Sequence, residues 1–403
     1  FPAVAFAWQI SEEDFFNISM INRMKLRLSW GVNGNRDIGI YSALARLGSN
    51  LWFDGSSARV GVYNSTLSNP GLRWERTESI NGGLDMGLFE NRIDLSLYFY
   101  DMTSTDLLMN RILPKITGFT IITSNLGELG NKGVEMTLNT VNISKQTVTW
   151  RSSLVFSLNR NKIKKLFGDI GEYTLLGKTQ TGEVPDYSNQ WFPGEAIDVV
   201  WDYERIGIWQ ENEADQASDY NMVPGDFKSV DVDGYGEYID LMDKQFIGFT
   251  RPRYRLGFRN DVDFLKNFTA SIFIRADLGH IGPYSNALNS GFESNDRRSR
   301  NVGPVPYWIP ENPINDYARL NVNTAGYGGG FMYYADRSFV RIQDVSIAYN
   351  LPKTAVQRIH LNSMRIFVSS RNLATFTEWP GWDPETGNIP MPRTYTLGLN
   401  ITL

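Results

Sequence analysis

Apolar and polar residues alternate along many short segments of this chain. In one of them Leu95, Leu97 and Phe99 occupy one side, and Ser96 and Tyr98 occupy the other. A period of two residues is the pattern of a β-strand whose two faces meet different surroundings. Segments of this kind recur from the first residues to the last, so the pattern predicts an all-β protein.

The alternation predicts eleven strands, and the connections between them alternate strictly between short and long. A transmembrane antiparallel up-and-down β-barrel has this arrangement, with short turns on one side of the membrane and long extracellular loops on the other. The polar faces carry charges such as Arg255 and Asp277, which a water-filled lumen accepts and a dry core does not. The predicted strands lie near 1–10, 23–33, 75–88, 92–102, 132–140, 147–160, 252–262, 267–278, 338–350, 363–375 and 393–403.

An odd number of strands is unusual for a bacterial single-chain barrel. A sheet of eleven strands would also leave unpaired edges in lipid. The last strand alternates from Tyr395 to Leu403, as a strand that seals a wall would. We therefore expect the chain to be the C-terminal portion of a larger barrel.

Composition removes several classes of function. The chain has 39 basic and 44 acidic residues, which gives no reason to expect a nucleic-acid partner. It has no cysteine, which excludes a thiolate site, and its two histidines make histidine-based catalysis or metal binding improbable. No set of nucleophile, base and metal ligands is visible, and we expect no enzyme activity.

Several segments resemble the SusC/RagA family of TonB-dependent outer-membrane transporters. The most specific one is the final block, in which Gly381–Glu385 (GWDPE) is followed by Pro392–Tyr395 (PRTY). The resemblance covers nearly the whole chain in the order of the family. The other matching segments are 1–15, 24–35, 69–108, 125–140, 224–248 and 339–352.

This resemblance implies a barrel of 22 strands, of which residues 1–403 would form the C-terminal part. The plug and the N-terminal domains would lie outside this sequence. The implied function is active import of a nutrient oligosaccharide or oligopeptide across a Gram-negative outer membrane of the Bacteroidetes type. The implied partners are the remaining barrel half and plug, TonB, outer-membrane lipid and a SusD-like surface lipoprotein. Two alternatives stay open, which are a passive porin and an extracellular all-β binding module.

Aromatic residues in the predicted external loops are the candidates for ligand contact, because sugar rings and peptide side chains stack on flat apolar faces. For any one of them, packing within its own loop is the competing interpretation. The candidates are Trp191, Trp209, Tyr307, Trp308, Tyr327, Tyr333 and Trp379.

The segment 231–243 resembles a calcium loop, in which oxygen ligands at positions 1, 3 and 5 precede a glycine at position 6. Asp231, Asp233 and Gly236 fit this spacing, but Tyr235 stands where a third ligand is needed. We favour an Asp/Gly-rich turn here over a filled calcium site, and we expect no other cofactor.

Overall fold

The computed structural model describes residues 1–36, 43–284, 306–320, 322–328, 330–358, 360–387 and 389–402. Eleven antiparallel strands form one sheet in which neighbours in the chain are neighbours in space, and this confirms the predicted barrel wall. The wall strands are β1 (Ala3–Gln9), β2 (Ile21–Asn35), β3 (Glu75–Leu88), β4 (Ile93–Thr105), β5 (Glu128–Ser144), β6 (Val148–Lys165), β7 (Tyr254–Phe264), β8 (Phe268–Leu278), β9 (Phe339–Asn350), β10 (Ser363–Thr377) and β11 (Thr394–Thr402).

The long connections lie at one end of the sheet and carry their own secondary structure. Six two-stranded hairpins or ribbons are described there: Leu47–Phe53 with Ala58–Asn64, Leu108–Ile112 with Ile121–Asn125, Ile170–Leu175 with Lys178–Glu183, Val199–Tyr203 with Lys244–Phe249, Arg205–Ile208 with Phe227–Ser229, and Ile281–Pro283 with Tyr334–Asp336. The helices described in the chain are short, namely Ala214–Asp219, Asp240–Asp243 and Lys353–Gln357, with 3-10 turns at Ile10–Glu12, Lys115–Thr117, Glu211–Glu213 and Ala325–Tyr327. None of these helices is long and apolar enough to cross a membrane.

The two faces of the wall differ as the alternation predicts. Large apolar side chains cover the outer face and stay strongly exposed, as with Ile80 at 60% and Leu397 at 77%. The register explains their alignment, because Phe99 lies opposite Gly82 on one neighbouring strand and Val134 on the other. An apolar face without a protein partner is what lipid covers in a transmembrane barrel.

The inner face carries charged side chains in ion pairs. Arg27 pairs with Asp85 at 2.8 Å, and Arg151 pairs with Asp263 at 3.3 Å. Ion pairs of this kind carry a small desolvation penalty only where water reaches them. The inner face is therefore the surface of a wet lumen.

Strands β1 and β11 form the two edges of this sheet. Their outward side chains are exposed, for example Val4 at 67% and Leu399 at 51%. The completion of the wall to 22 strands stays an expectation from the family resemblance. The well-buried side chains of the chain lie mostly in the loops and not in the sheet.

Candidate functional site

The loops after β6, β8 and β10 fold together into one apolar cluster, here called the loop core. Its buried members come from residues 203–238, 284, 308–333 and 379, so segments far apart in sequence contribute to it. The apolar members are Tyr203, Ile208, Trp209, Ala217, Met222, Phe227, Tyr238, Tyr284, Trp308, Ala318, Val322, Tyr327, Phe331, Tyr333 and Trp379. The loop core gives the extracellular end of the wall a packed interior of its own.

Aromatic rings stack at the centre of the loop core. Tyr327 lies parallel to Tyr238, with ring centroids 4.5 Å apart and an interplanar angle of 4°. The same ring approaches Tyr203 at 4.8 Å and Phe331 at 4.6 Å, and Phe331 stacks on Phe227 at 5.0 Å. Contacts of this kind add to the free energy gained by burial, so the loops are held in one arrangement.

Buried polar groups at the centre of the loop core have hydrogen-bond partners, whereas the indole N–H of Trp209 at 2% exposure has none among the described residues. The carboxylate of Asp226, which is fully buried, accepts from Arg319 Nε and from the backbone N–H of Asn323, both at 2.8 Å. The Tyr327 hydroxyl donates to the carbonyl of Phe227 at 3.0 Å, and burial raises its pKa well above the ordinary value. This hydroxyl therefore stays protonated and serves as a fixed donor.

The seven predicted ligand-contact aromatics do not share one environment. Trp209, Trp308, Tyr327, Tyr333 and Trp379 are buried in the loop core. Tyr307 is 39% exposed and Trp191 is half-buried outside that cluster. Since the five buried side chains pack against protein, this structure assigns them to loop packing. Ligand contact stays a prediction. Tyr307 and Trp191 are the two candidates whose rings remain partly accessible to a ligand.

A second arrangement, here called the lumenal clamp, joins the loop after β10 to the inner face of the wall. Arg341 on β9 is 1% exposed, and its guanidinium reaches Asp383 Oδ2 and Glu385 Oε2, each at 2.5 Å. Its Nε also donates to Thr375 Oγ1 at 3.0 Å, and Arg275 on β8 pairs with Glu385. Two arginines on one face thus share the two acids of the loop.

The lumenal clamp gives a structural role to the GWDPE segment. Arg337 adds to it, because its Nε donates to the carbonyl of Pro384 at 2.6 Å and its guanidinium lies 5.2 Å from the Trp379 ring centre. Sequence reasoning did not find Arg341. The sequence carries no signal for this role, because Arg341 lies beside Arg275 only in the register of β8 and β9, and the two adjacent cations find their acids in a distant loop.

The predicted calcium loop brings three carboxylates together. Oxygens of Asp231, Asp233 and Asp243 lie within 4.8 Å of one another, and burial raises the pKa of Asp243. Asp231 accepts from the backbone N–H groups of Gly234 and Gly236, and this supports the turn interpretation. Asp233 Oδ2 has no hydrogen-bond partner among the described residues, and a divalent cation would supply one. The turn stays the favoured interpretation, and calcium binding by these three carboxylates stays the alternative that an experiment has to test.

The antiparallel wall has an apolar outer face and a charged inner face, and its long loops lie at one end. These features together define an outer-membrane β-barrel. The family model described as "TonB dependent receptor-like, beta-barrel" matches residues 1–196. Among curated relatives, the TonB-dependent receptor P3 of Formosa agariphila is 34% identical over the whole chain and 41% of its own length. SusC of Bacteroides thetaiotaomicron is 27% identical, again over the whole chain and 40% of its own length.

Among solved structures, one of the RagAB peptide transporter superposes with a TM-score of 0.74 at 23% identity. The match covers 99% of this chain and 43% of the matched one, and it shows the fold. The chain belongs to the TonB-dependent receptor β-barrels, with SusC among its curated relatives, and it lies in the outer membrane. It spans about two fifths of the length of the curated relatives it matches. The family is one of receptors and transporters and not of enzymes.

Proposed function

We propose that this chain forms part of an importer that takes a nutrient oligomer across the outer membrane with energy delivered through TonB. The observation that carries the proposal is the contrast between a hydrated, charged lumen and a set of loops packed into an ordered loop core above it. Ligand sites are usually largely pre-formed, and loops held in one arrangement above the lumen can supply such a site for a cargo.

The cargo is an oligosaccharide or an oligopeptide, and a SusD-like surface lipoprotein is the proposed partner on the extracellular side. Support comes from the relatives, since one solved relative is titled a peptide transporter and another is named SusC. The remaining barrel strands, the plug and the TonB contact are proposed to belong to the intact receptor.

Deletion of the receptor gene tests this proposal. We expect the deletion strain to lose growth on at least one peptide or glycan oligomer while it still grows on the corresponding monomer, which passes through porins. Deletion of TonB should have the same effect. Growth of both strains on every oligomer would contradict active import.

Two measurements separate the alternatives. The intact receptor in a planar bilayer should show no standing ion conductance, whereas a passive porin would conduct. Native mass spectrometry of the detergent-extracted complex should detect a lipoprotein, and its absence would remove the proposed partner while leaving the importer in place.

A further inference from the structure

A polar cavity of about 200 Å³ opens on the inner face of the wall near its extracellular end, where β5, β6 and β7 meet. Its lining includes Asn159, Asn161, Asp198, Arg251, Arg253 and Arg255. Complete small-molecule sites usually measure roughly 300–1,000 Å³. The cavity therefore fits one unit of a longer chain and not a whole oligomer.

Positive charge dominates this cavity. Three arginines line it against one aspartate, Asp198, which already accepts from Asn161 Nδ2 at 2.6 Å. Arg255 Nε lies 4.0 Å from Asp277, which is the limit of an ion pair. Within the described ranges, no carboxylate pairs with Arg251 or Arg253.

Several other arginines of the same inner face have acidic partners within 3.3 Å. Arg259, four residues further along β7, holds Asp261 at 2.8 Å. Arg27 and Arg151 also have acidic partners within 3.3 Å. Arg251 and Arg253, which come just before β7 at the mouth of the lumen, have no acidic partner of this kind among the described residues.

Arg253 is held in place before any ligand arrives. Its guanidinium carbon lies 3.8 Å from the centre of the Phe249 ring, and its backbone N–H donates to Leu278 at 2.8 Å. Gly279 lets the stem pass, because a Cβ there would lie 3.1 Å from Arg253 Cβ. Burial and the nearby charge of Arg160 lower the pKa of Arg253 more than the charge of Asp198 raises it, and a bound anion would offset both unfavourable effects.

We propose that this cavity binds a carboxylate carried by the imported oligomer. The inference rests on the proposed importer function and narrows its substrate class. The planar guanidinium of arginine matches a carboxylate with two parallel hydrogen bonds. Asn159 and Asn161 supply amide groups beside it. The carboxylate comes from a peptide, as its C-terminus, or from a glycan, as a uronic acid.

Calorimetry on the intact receptor in detergent tests the proposal with two matched pairs of probes. The first pair is trigalacturonate and its neutral methyl ester, and the second is trialanine and its C-terminal amide. We expect the charged member of one pair to bind at least about tenfold more tightly than its neutral partner, as for hydrogen bonds to charged groups. The pair that shows the preference identifies the source of the carboxylate.

Variants then assign the preference to the cavity. The double variant Arg251→Gln/Arg253→Gln should lose it, and the control Arg259→Gln should keep it because Arg259 is already paired with Asp261. Retention of the heat-modifiable folded band on gels checks that each variant folds. Equal affinity within both pairs, no binding of any probe, or a preference that survives in the double variant would overturn the proposal.

The experiments distinguish a wrong carboxylate site from a wrong importer function. Import that depends on TonB but is indifferent to probe charge and to the double variant would remove only the carboxylate site. A charge preference in calorimetry together with growth independent of TonB would instead keep the site and remove the importer.

Discussion

The wall and the loop core place their apolar side chains in different surroundings. On the wall, Leu397 is 77% exposed and Ile80 60% exposed, because lipid and not protein covers the outer face. In the loop core, Phe227 is fully buried and Tyr327 is 1% exposed, as in the interior of a water-soluble domain. One chain thus contains a half that needs a bilayer and a half that supplies its own interior.

This difference separates the forces that hold each region. Wall strands are joined to their neighbours by backbone hydrogen bonds over long registers, for example thirteen residue pairs between β4 and β5. The loop core depends on side chains that meet from distant loops. A substitution should therefore act through lipid in the wall and through packing in the loop core.

The largest effect is expected from Phe227→Ala in the loop core. Removal of a fully buried ring leaves a cavity between Phe331 and Tyr333, and should lower the local unfolding free energy by about 3–5 kcal/mol. Hydrogen exchange should show loss of protection in 203–238 with little change in the wall. Tyr235→Ala, at a side chain 77% exposed, is the control. Equal loss of protection in both variants would mean that the loops have no packed interior.

The wall should respond to charge on its outer face. Met136 on β5 lies opposite Leu97 and Phe156 on the lipid side, and Met136→Arg should lower folding stability in vesicles by about 2–4 kcal/mol. Glu135→Arg introduces the same side chain one residue away on the inner face, where we expect less than about 0.5 kcal/mol. Folding titrations in urea measure both variants, and a similar cost for the two would contradict the assignment of faces.

The lumenal clamp joins the two regions, and Arg341→Gln should separate them. Breaking a buried ion pair costs roughly 3–5 kcal/mol, and the partial exposure of Glu385 reduces this to about 2–3 kcal/mol. Limited proteolysis should then cut within 378–393 while the wall stays intact. Arg365→Gln on the neighbouring strand is the control. Unchanged protease resistance would show that the loop is held by other contacts.

Acidity should affect the loops and not the wall. Burial raises the pKa of Asp202 to about 6 from 3.8, since desolvation outweighs the attraction of Lys244. The folded state therefore binds this proton more tightly than the unfolded state. The contribution of Asp202 is most favourable below pH 4, is lost as the pH rises to about 6, and is constant above it. Hydrogen exchange of Val199–Tyr203 should show a change of about 3 kcal/mol over this range, and Asp202→Asn should abolish it. The same pH dependence in both proteins would assign it to another group.

The smallest effect is expected from removal of calcium. Because Asp231 and Asp243 already accept backbone N–H groups, EGTA should change the stability of 231–243 by less than about 0.5 kcal/mol. Hydrogen exchange with EGTA, and with magnesium or calcium added back, measures this. Protection that returns with calcium alone would establish a calcium site at the three carboxylates.

The sequence by itself determined the wall. Alternation with period two depends only on the two faces of a strand, so residues such as Leu95, Leu97 and Phe99 specify both the strand and its lipid side before any neighbour is known. The same local signal gave the number of strands and the alternation of short and long connections, because each strand carries it independently.

Only the tertiary structure decided the contents of the loops and the lumen. The rings of Tyr203 and Tyr327 pack with their centroids 4.8 Å apart although more than a hundred residues separate them, and no period in the sequence records that contact. The row Arg251, Arg253 and Arg255 is visible in the sequence, but whether an arginine has an acidic partner depends on which strands and loops lie beside it. Side-chain pairing across loops is set by three-dimensional distance, and a local pattern carries no information about that distance.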